Sequence, residues 1–169
     1  MNLTGKKIKT ALGAATLAIV MAVGGVSFDS PSANASDFGE LILKRQKGMK
    51  GMGGGMKKIG AFLKKDEGSA ADVAAIAMKF SKIGPNIPKA YPKGSSLEDI
   101  LDPQTGAKPD IWMNMDKFQM AGETMADYAM KLNAAALTGD KDAIASAFSD
   151  LGKKGCGGCH KPFREKIER

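Results

Sequence analysis

The sequence has few of the residues on which most protein chemistry depends. Among 169 residues there are one histidine, two cysteines, one tryptophan and two tyrosines. If the single histidine, His160, binds a cofactor, no second imidazole remains to act as a general base. Nor is there another arrangement for hydrolytic or nucleophilic catalysis. We therefore expect this protein not to be an enzyme.

Positive charge is in excess but is not concentrated. The 25 lysines and arginines exceed the 18 acidic residues by seven, for a formal charge of +7. No stripe of basic residues of the kind that binds nucleic-acid phosphates is present, so nucleic acid is not an expected partner. A modest positive charge favours acidic protein partners, although scattered lysines are also what a solvated surface requires.

The first 35 residues have the pattern of a secretory signal. Lys6, Lys7 and Lys9 precede an apolar run from Ala11 to Val26, and Ala33-Asn34-Ala35 has the small residues of a cleavage site. The apolar run is shorter than the ~20 residues that cross a bilayer, which disfavours an uncleaved membrane anchor. We expect residues 1–35 to be removed. Residues 36–169 would then form one exported domain with a formal charge of +5.

Residues 36–169 show no convincing strand pattern, whereas helical spacing recurs. Steps of four and three define an apolar seam in the first predicted helix, at Phe38, Ile42, Arg45, Met49, Met52, Met56, Ile59 and Leu63. This spacing predicts that the three methionines share one buried face. The same rhythm predicts a long third helix from about Asp110, with Ile111, Met115, Phe118, Gly122, Met125, Ala129, Leu132 and Ala136 on one face.

Two further helices complete the predicted fold. Ser69 can cap a second helix that ends at Gly84-Pro85. Five prolines from Pro85 to Pro109 then predict a mostly irregular connection. The fourth helix follows the break at Gly139-Asp140 and runs into a C-terminal motif, with a bend expected at Pro162. Four amphipathic helices predict an all-α fold, an antiparallel four-helix bundle.

One motif near the C-terminus contains both cysteines and the histidine. Cys156-Gly157-Gly158-Cys159-His160 is the pattern by which c-type haem is attached. On a helix, residues three and four apart share a face, so both thiols can bond to the haem vinyl groups while His160 binds the iron. A disulfide or redox-active pair is the main alternative, but the βαβ surroundings typical of that motif are missing. A zinc site would need carboxylates to complete its four ligands.

Several short segments carry a resemblance to a known family. They are Arg45-Gln46, Tyr91-Pro92-Lys93-Gly94-Ser95, Pro109-Asp110-Ile111-Trp112, Ala135-Ala136 with Gly139-Asp140, and Cys156 to Arg164. Together with these segments, the haem motif and its position near the C-terminus resemble those of the class II cytochromes c, the cytochrome c prime family. The resemblance extends over nearly all of residues 36–169. It implies an exported four-helix bundle with one covalently attached haem near the C-terminus, and a bacterial periplasmic location.

The resemblance also implies a residue on the distal side of the haem. In this family the residue four positions after the first-helix arginine faces that side, and here Met49 follows Arg45. A methionine makes the chain similar to the low-spin branch with six-coordinate iron, whereas gas-binding members have leucine, tyrosine or a similar residue. Met49 is thus the expected sixth ligand, with Met52 as its rival, and Arg45 is a candidate haem contact. Methionines at bundle spacing are also ordinary core residues.

Two other sets of residues are expected to shape the haem site. Three glycines would let the backbone and the macrocycle approach closely: Gly48, Gly51 and Gly55. Three apolar side chains would form a dry wall, although core packing is the simpler explanation for each: Phe118, Met125 and Phe163. Trp112 is expected to be a structural anchor.

The expected function follows from the iron ligands. Iron held by His160 and Met49 has no vacant site for a substrate, and a thioether favours ferrous iron. We therefore expect one-electron transfer between exported or membrane-bound redox proteins with acidic docking surfaces. The alternatives are a five-coordinate protein that binds nitric oxide or carbon monoxide, and a haem-free interaction module with a Cys156–Cys159 disulfide. Formation of a homodimer is left open.

Overall fold

The computed structural model describes residues 35–167. The predicted signal sequence lies outside these residues, apart from Ala35, with which the first helix begins. Among the helices of residues 35–167, none combines the length and the apolar character that crossing a membrane requires.

The fold is the predicted all-α four-helix bundle. The elements, in chain order, are α1 (Ala35–Lys65), α2 (Ala70–Ile83), a 3₁₀ helix (Gly84–Ala90), α3 (Asp110–Met113), α4 (Met115–Thr138), α5 (Lys141–Asp150), a π-helical turn (Leu151–Cys156) and α6 (Gly157–Phe163). Helices α1, α2 and α4 provide three columns of the bundle. The fourth consists of α5, the π turn and α6, which follow one another without a break.

The start of α2 is set by its sequence as predicted. The Ser69 hydroxyl accepts a hydrogen bond from the backbone N–H of Asp72 at 3.1 Å, and the Asp72 carboxylate accepts one from the backbone N–H of Ser69 at 2.9 Å. This reciprocal pair satisfies two donors that a helix start leaves free. At the other end, Gly84–Ala90 is a 3₁₀ helix rather than the irregular chain expected there, because Pro85 lies in its first turn, where no N–H is needed.

The predicted third helix is interrupted. Asn114, with φ −133° and ψ 47°, separates α3 from α4. Its backbone N–H and its side-chain amide both donate to the carbonyl oxygen of Asp110, at 3.0 and 3.2 Å. An asparagine that bonds locally in this way competes with helix continuation, which explains a break that the apolar spacing does not reveal.

The fourth column reaches the cysteine motif through the π turn. The Asp140 carboxylate caps α5 by accepting from the backbone N–H groups of Asp142 and Ala143. Within the π turn the N–H of Gly157 donates to the carbonyl oxygen of Gly152, five residues back. Gly155 lies against α4, and a Cβ added to it would be 3.4 Å from the Cα of Met125. The column therefore packs closely on α4 just before Cys156.

The core has two parts. The main cluster lies between the long helices and contains Ile59, Val73, Ala74, Ala77, Phe80, Met125, Ala129, Leu132, Ala136, Ile144 and Leu151. A smaller cluster lies near the C-terminal motif and contains Ala107, Ile111, Phe118 and Phe163. Met52 and Met56 pack against the main cluster and Met49 does not. All three are half-buried, and Met49 does not pack on the cluster that the other two contact, so the prediction that they share one buried face is wrong.

Candidate functional site

A cavity of about 290 Å³ lies between α1, the connection, α4 and the C-terminal segment. Met49 reaches it from α1, and Cys159 and His160 reach it from α6. Its other lining residues are Arg45, Gln46, Ile87, Tyr91, Thr105, Gly106, Ala107, Ile111, Phe118, Phe163, Arg164, Glu165, Lys166 and Ile167. The fold thus brings two residues of the cysteine motif and one methionine of the first helix to a single cavity.

The predicted site residues do not all meet there. Met52 packs on the main cluster instead of lining the cavity, and Cys156 is half-buried against that same cluster. Met125, expected in the dry wall, is a main-cluster residue. The structure therefore separates Met49 from its rival Met52.

The three glycines expected to face the haem, Gly48, Gly51 and Gly55, do not line the cavity. Gly48 and Gly51 are exposed, do not line the cavity, and have no described atom within 4 Å of an added Cβ. Gly55 faces α2, where an added Cβ would lie 2.7 Å from the Phe80 ring. Of these three glycines, Gly55 alone has a described atom close to its Cβ position, and there the close approach brings two helices together.

Aromatic rings form one wall of the cavity. The ring of Phe118 makes edge-to-face contacts with Tyr91 and Phe163, with centroids 4.9 and 5.1 Å apart. Trp112 lies outside this wall. Its indole N–H donates to the carbonyl oxygens of Tyr91 and Pro92, both at 2.9 Å, which is the arrangement of a structural anchor. The wall supplies the flat apolar surface against which a planar group can stack.

Arg45 is a buried cation at the edge of this wall. Its guanidinium donates to the hydroxyl of Ser95 at 3.0 Å and to the carbonyl oxygen of Ser95 at 2.9 Å. It also lies over the Tyr91 ring, 4.4 Å from the centroid. Burial lowers the pKa of Arg45 from its usual value and raises that of the Tyr91 hydroxyl. The acceptors on Ser95 are neutral, so the charge of Arg45 stays available to an anionic group in the cavity.

The cysteines have the wrong acidity for a redox-active pair. Burial raises the pKa of the Cys156 thiol, and burial together with the neighbouring Cys156 raises the pKa of Cys159 to about 11. Redox-active cysteines instead have lowered pKa values. The two residues are not joined in a disulfide. Burial and then the charge of Arg164 lower the pKa of His160, which favours the neutral imidazole that binds metals.

The family of the protein follows from its sequence matches. The family model described as cytochrome C′ matches residues 40–164. The chain belongs to the cytochrome c′ family. The cytochrome c′ of Rhodospirillum rubrum is 33% identical over 132 residues, which cover 78% of this chain and 86% of that protein.

Solved structures of cytochromes c′ have the same fold. The crystal structure of cytochrome c′ from Thermochromatium tepidum is 32% identical, with a TM-score of 0.67, and the match covers 76% of this chain and 97% of that one. A nitric oxide complex of a mutant cytochrome c prime from Alcaligenes xylosoxidans is 25% identical, with a TM-score of 0.63, covering 79% of this chain and 98% of that one.

The cavity fits the covalently attached haem c that is the cofactor of this family. A haem needs apolar walls for its ring, cationic groups for its propionates, and the Cys-x-x-Cys-His motif for attachment and axial ligation. The wall of Phe118 and Phe163, the buried Arg45 and the motif meet these needs. Zinc is less suited, because residues 35–167 contain no group of three His, Cys, Asp or Glu side chains placed to hold a metal ion.

Much of the cavity lining could not be recognised from sequence. Ile87, Thr105, Gly106 and Ala107 come from the connection between α2 and α3, which shows no periodicity. Residues 164–167 follow the last helix and fold back over the cavity. The only sequence signal for these parts is the resemblance at Tyr91 and at Arg164, both of which belong to matching segments.

Proposed function

We propose that this cytochrome c′ family member carries single electrons through one haem c, whose iron is held by His160 and Met49. The observation that supports this assignment is the placement of Met49 and His160, on α1 and α6, at one cavity. Met52 and Met56 pack on the main cluster instead. A methionine that faces a haem cavity rather than the core is the one free to bind iron.

The other proposed contacts use the residues of the motif and of α1. Cys156 and Cys159 form the thioethers, and His160 is the proximal ligand. Arg45 binds a haem propionate, since its guanidinium is buried beside the cavity with neutral acceptors on Ser95. A carboxylate in this place would compensate for the desolvation of the guanidinium.

A haem held by these residues would supply the one-electron chemistry. The protein residues tune that chemistry. Phe118, Phe163 and Tyr91 exclude water from the cavity, and a thioether ligand favours the ferrous state. Together they raise the reduction potential and leave no site for a substrate, which suits electron transfer rather than catalysis.

The proposed partners are exported or membrane-bound redox proteins with acidic surfaces. Lys153 and Lys161, on either side of the motif, are exposed and can guide such a partner by charge. Binding of this kind is weak and transient. The periplasm is the proposed location, supported by the export pattern in residues 1–35. Dimer formation stays a prediction, and sedimentation velocity of the holoprotein measures it.

The optical spectra of the ferric and ferrous holoprotein, with and without carbon monoxide, test the proposed ligands. Wild-type protein should be low-spin, with a weak far-red sulfur-to-iron band in the ferric state, and should not respond to carbon monoxide. Met49→Leu should lose this band, become high-spin and bind carbon monoxide. Met52→Leu is the matched control, since it removes a neighbouring thioether from the same helix, and its spectrum should stay like that of the wild type.

Two outcomes would contradict the assignment. Loss of the band in Met52→Leu but not in Met49→Leu would make Met52 the ligand. A high-spin wild-type protein that binds carbon monoxide would exclude the His/Met carrier altogether.

That second outcome would favour the other candidate function, binding of nitric oxide or carbon monoxide at five-coordinate iron. The supporting observation is the nitric oxide complex of the mutant Alcaligenes xylosoxidans cytochrome c prime, which is 25% identical to this chain. Met49 would then pack beside the iron without binding it.

A further inference from the structure

A short two-stranded segment joins the connection to the C-terminal end of the chain. The backbone N–H of Lys108 donates to the carbonyl oxygen of Phe163 at 3.2 Å, and that of Glu165 donates to the carbonyl oxygen of Gly106 at 2.8 Å. Ala107 and Arg164 form the antiparallel bridge between them. We call residues 106–108 and 163–165 the clasp.

The clasp is firmly attached to the rest of the protein on both sides. The carbonyl oxygen of Ala107, which is buried, accepts from the backbone N–H of Leu97 at 2.8 Å. On the other strand Phe163 is buried, and its ring makes an edge-to-face contact with Phe118. Both strands line the cavity. A shift in the clasp would therefore reach the cavity directly.

The helix that carries His160 depends on this attachment. α6 has seven residues, and Pro162, near its end, has no N–H to give to the preceding turn. The π turn continues into the N-terminal end of α6, so it is the C-terminal end of the helix that needs support from outside it. Its last backbone bond runs from the N–H of Arg164 to the carbonyl oxygen of His160 at 3.1 Å, so the first clasp residue after the helix bonds to the histidine itself.

Gly106 is the position at which the clasp tolerates no side chain. A Cβ there would lie 2.4 Å from the carbonyl oxygen of Glu165, closer than Cβ atoms come to other atoms. The obstructing atom belongs to the backbone, so it cannot turn aside as a flexible side chain could. Any residue other than glycine must push the two strands of the clasp apart.

We propose that Gly106 is a positioning residue for His160. Because Gly106 has no side chain, the two segments of the clasp can pair, and this pairing fixes the C-terminal end of α6 and with it the axial imidazole. The inference rests on His160 being the proximal ligand, as proposed above. The hydrogen-bonded surroundings of an axial histidine set its orientation and tune the metal. The clasp supplies this support from the backbone.

Two variants open the clasp in different ways. Gly106→Ala introduces the steric conflict. Glu165→Pro removes the N–H that donates to Gly106 and puts the ring Cδ in its place. The preceding Arg164, with φ −124° and ψ 127°, already has the extended backbone that a residue before proline requires. The control for Gly106→Ala is Gly60→Ala, which has no described atom within 4 Å of its Cβ. The reference for Glu165→Pro is Glu165→Ala, which removes the same carboxylate from the cavity lining but keeps the N–H.

The readouts are the electron paramagnetic resonance spectrum of the ferric holoprotein, its reduction potential and its thermal unfolding. Gly106→Ala and Glu165→Pro should both change the g-values and shift the ferric/ferrous equilibrium about tenfold, which is about 59 mV for one electron. Gly60→Ala should leave both unchanged, and the change in Glu165→Pro should be measured relative to Glu165→Ala. These g-values report on the axial ligands in high-spin as well as low-spin protein, so the test does not depend on Met49.

The proposal is overturned if the clasp variants only melt at lower temperature while their g-values and potentials match those of the wild type. The clasp would then be structural and nothing more. If one clasp variant fails to incorporate haem, the g-values and potential of the other variant still test the proposal. A high-spin wild type would contradict the proposed carrier function without affecting this comparison.

Discussion

Gly84 and Gly122 bring the 3₁₀ helix and α4 into direct backbone contact. A Cβ on Gly84 would lie 2.4 Å from the carbonyl oxygen of Gly122, and a Cβ on Gly122 would lie 2.6 Å from the carbonyl oxygen of Gly84. Both residues are buried. The contact fixes the start of the connection whose Ile87 and Tyr91 line the cavity.

Gly122→Ala should therefore destabilise the protein. The added methyl group would meet the backbone carbonyl of Gly84, which cannot turn aside, and forcing extra atoms into a packed interior costs about 1–3 kcal/mol. Urea unfolding of the holoprotein measures the change. Thr124→Ala, on the exposed side of the same helix, is the control and should change stability by less than about 0.5 kcal/mol. Equal stability of Gly122→Ala and wild type would mean that the helices can separate without cost.

Arg45→Ala should lower stability by about 1–3 kcal/mol, because it leaves the buried carbonyl oxygen of Ser95 without its donor. Arg45→Lys should recover only part of this loss in stability, since one ammonium group cannot reproduce the two hydrogen bonds that the planar guanidinium makes to Ser95. Gln46→Ala is a suitable control, because it removes an exposed bond, from the side-chain amide to the carbonyl oxygen of Gln104. Denaturant titrations measure both variants. If Arg45→Ala and Gln46→Ala lower the free energy of unfolding equally, the buried hydrogen bonds of Arg45 contribute no more than the exposed bond of Gln46.

Two glycines of α1 should respond to alanine with opposite signs. Gly51→Ala should stabilise the protein by about 1 kcal/mol, the usual difference between glycine and alanine within a helix, because no described atom lies near the new methyl group. Gly55→Ala should destabilise it, since the methyl group would meet the buried Phe80 ring at 2.7 Å. Thermal unfolding of the two variants compares them directly. A lower melting temperature for Gly51→Ala would indicate a contact outside the described chain.

The Tyr91 hydroxyl should make stability fall at alkaline pH. Burial raises its folded-state pKa above the usual value of 10, so the folded state keeps a proton that the unfolded state loses. The contribution of the protonated Tyr91 hydroxyl to the free energy of unfolding is fully present below pH 10. It is lost as the pH rises through the folded-state pKa. The free energy of unfolding should thus fall more steeply above pH 10 in the wild type than in Tyr91→Phe. Parallel curves for the two proteins would contradict the pKa shift.

The bundle itself was predictable because it depends on local signals. Apolar spacing located the long helices, Ser69 and Asp140 marked two helix starts, and Gly139 ended α4 with the left-handed φ of 74° that glycine accepts. The break at Asn114 was not predicted, since it depends on one side-chain bond that leaves the apolar pattern intact.

The candidate site was predictable only in part. The Cys-x-x-Cys-His motif was evident because its chemistry requires adjacent residues, and the resemblance supplied Met49. Which methionine faces the cavity depends on how α1 lies against two separate clusters, and spacing alone put Met49 and Met52 on the same face. The clasp joins residues more than fifty positions apart through backbone hydrogen bonds. Because backbone atoms are the same in every residue, the sequence pattern does not predict this pairing.

Around Met49, α1 has four exposed glycines with no described atom near their Cβ positions, namely Gly48, Gly51, Gly53 and Gly54. Each weakens the helix by about 1 kcal/mol relative to alanine without a compensating contact. This stretch should consequently be among the first to open, with amide protons that exchange before those of α4. The two sides of the cavity then differ in stiffness: a backbone clasp holds the side of His160, whereas the side of Met49 belongs to a helix segment able to unwind locally.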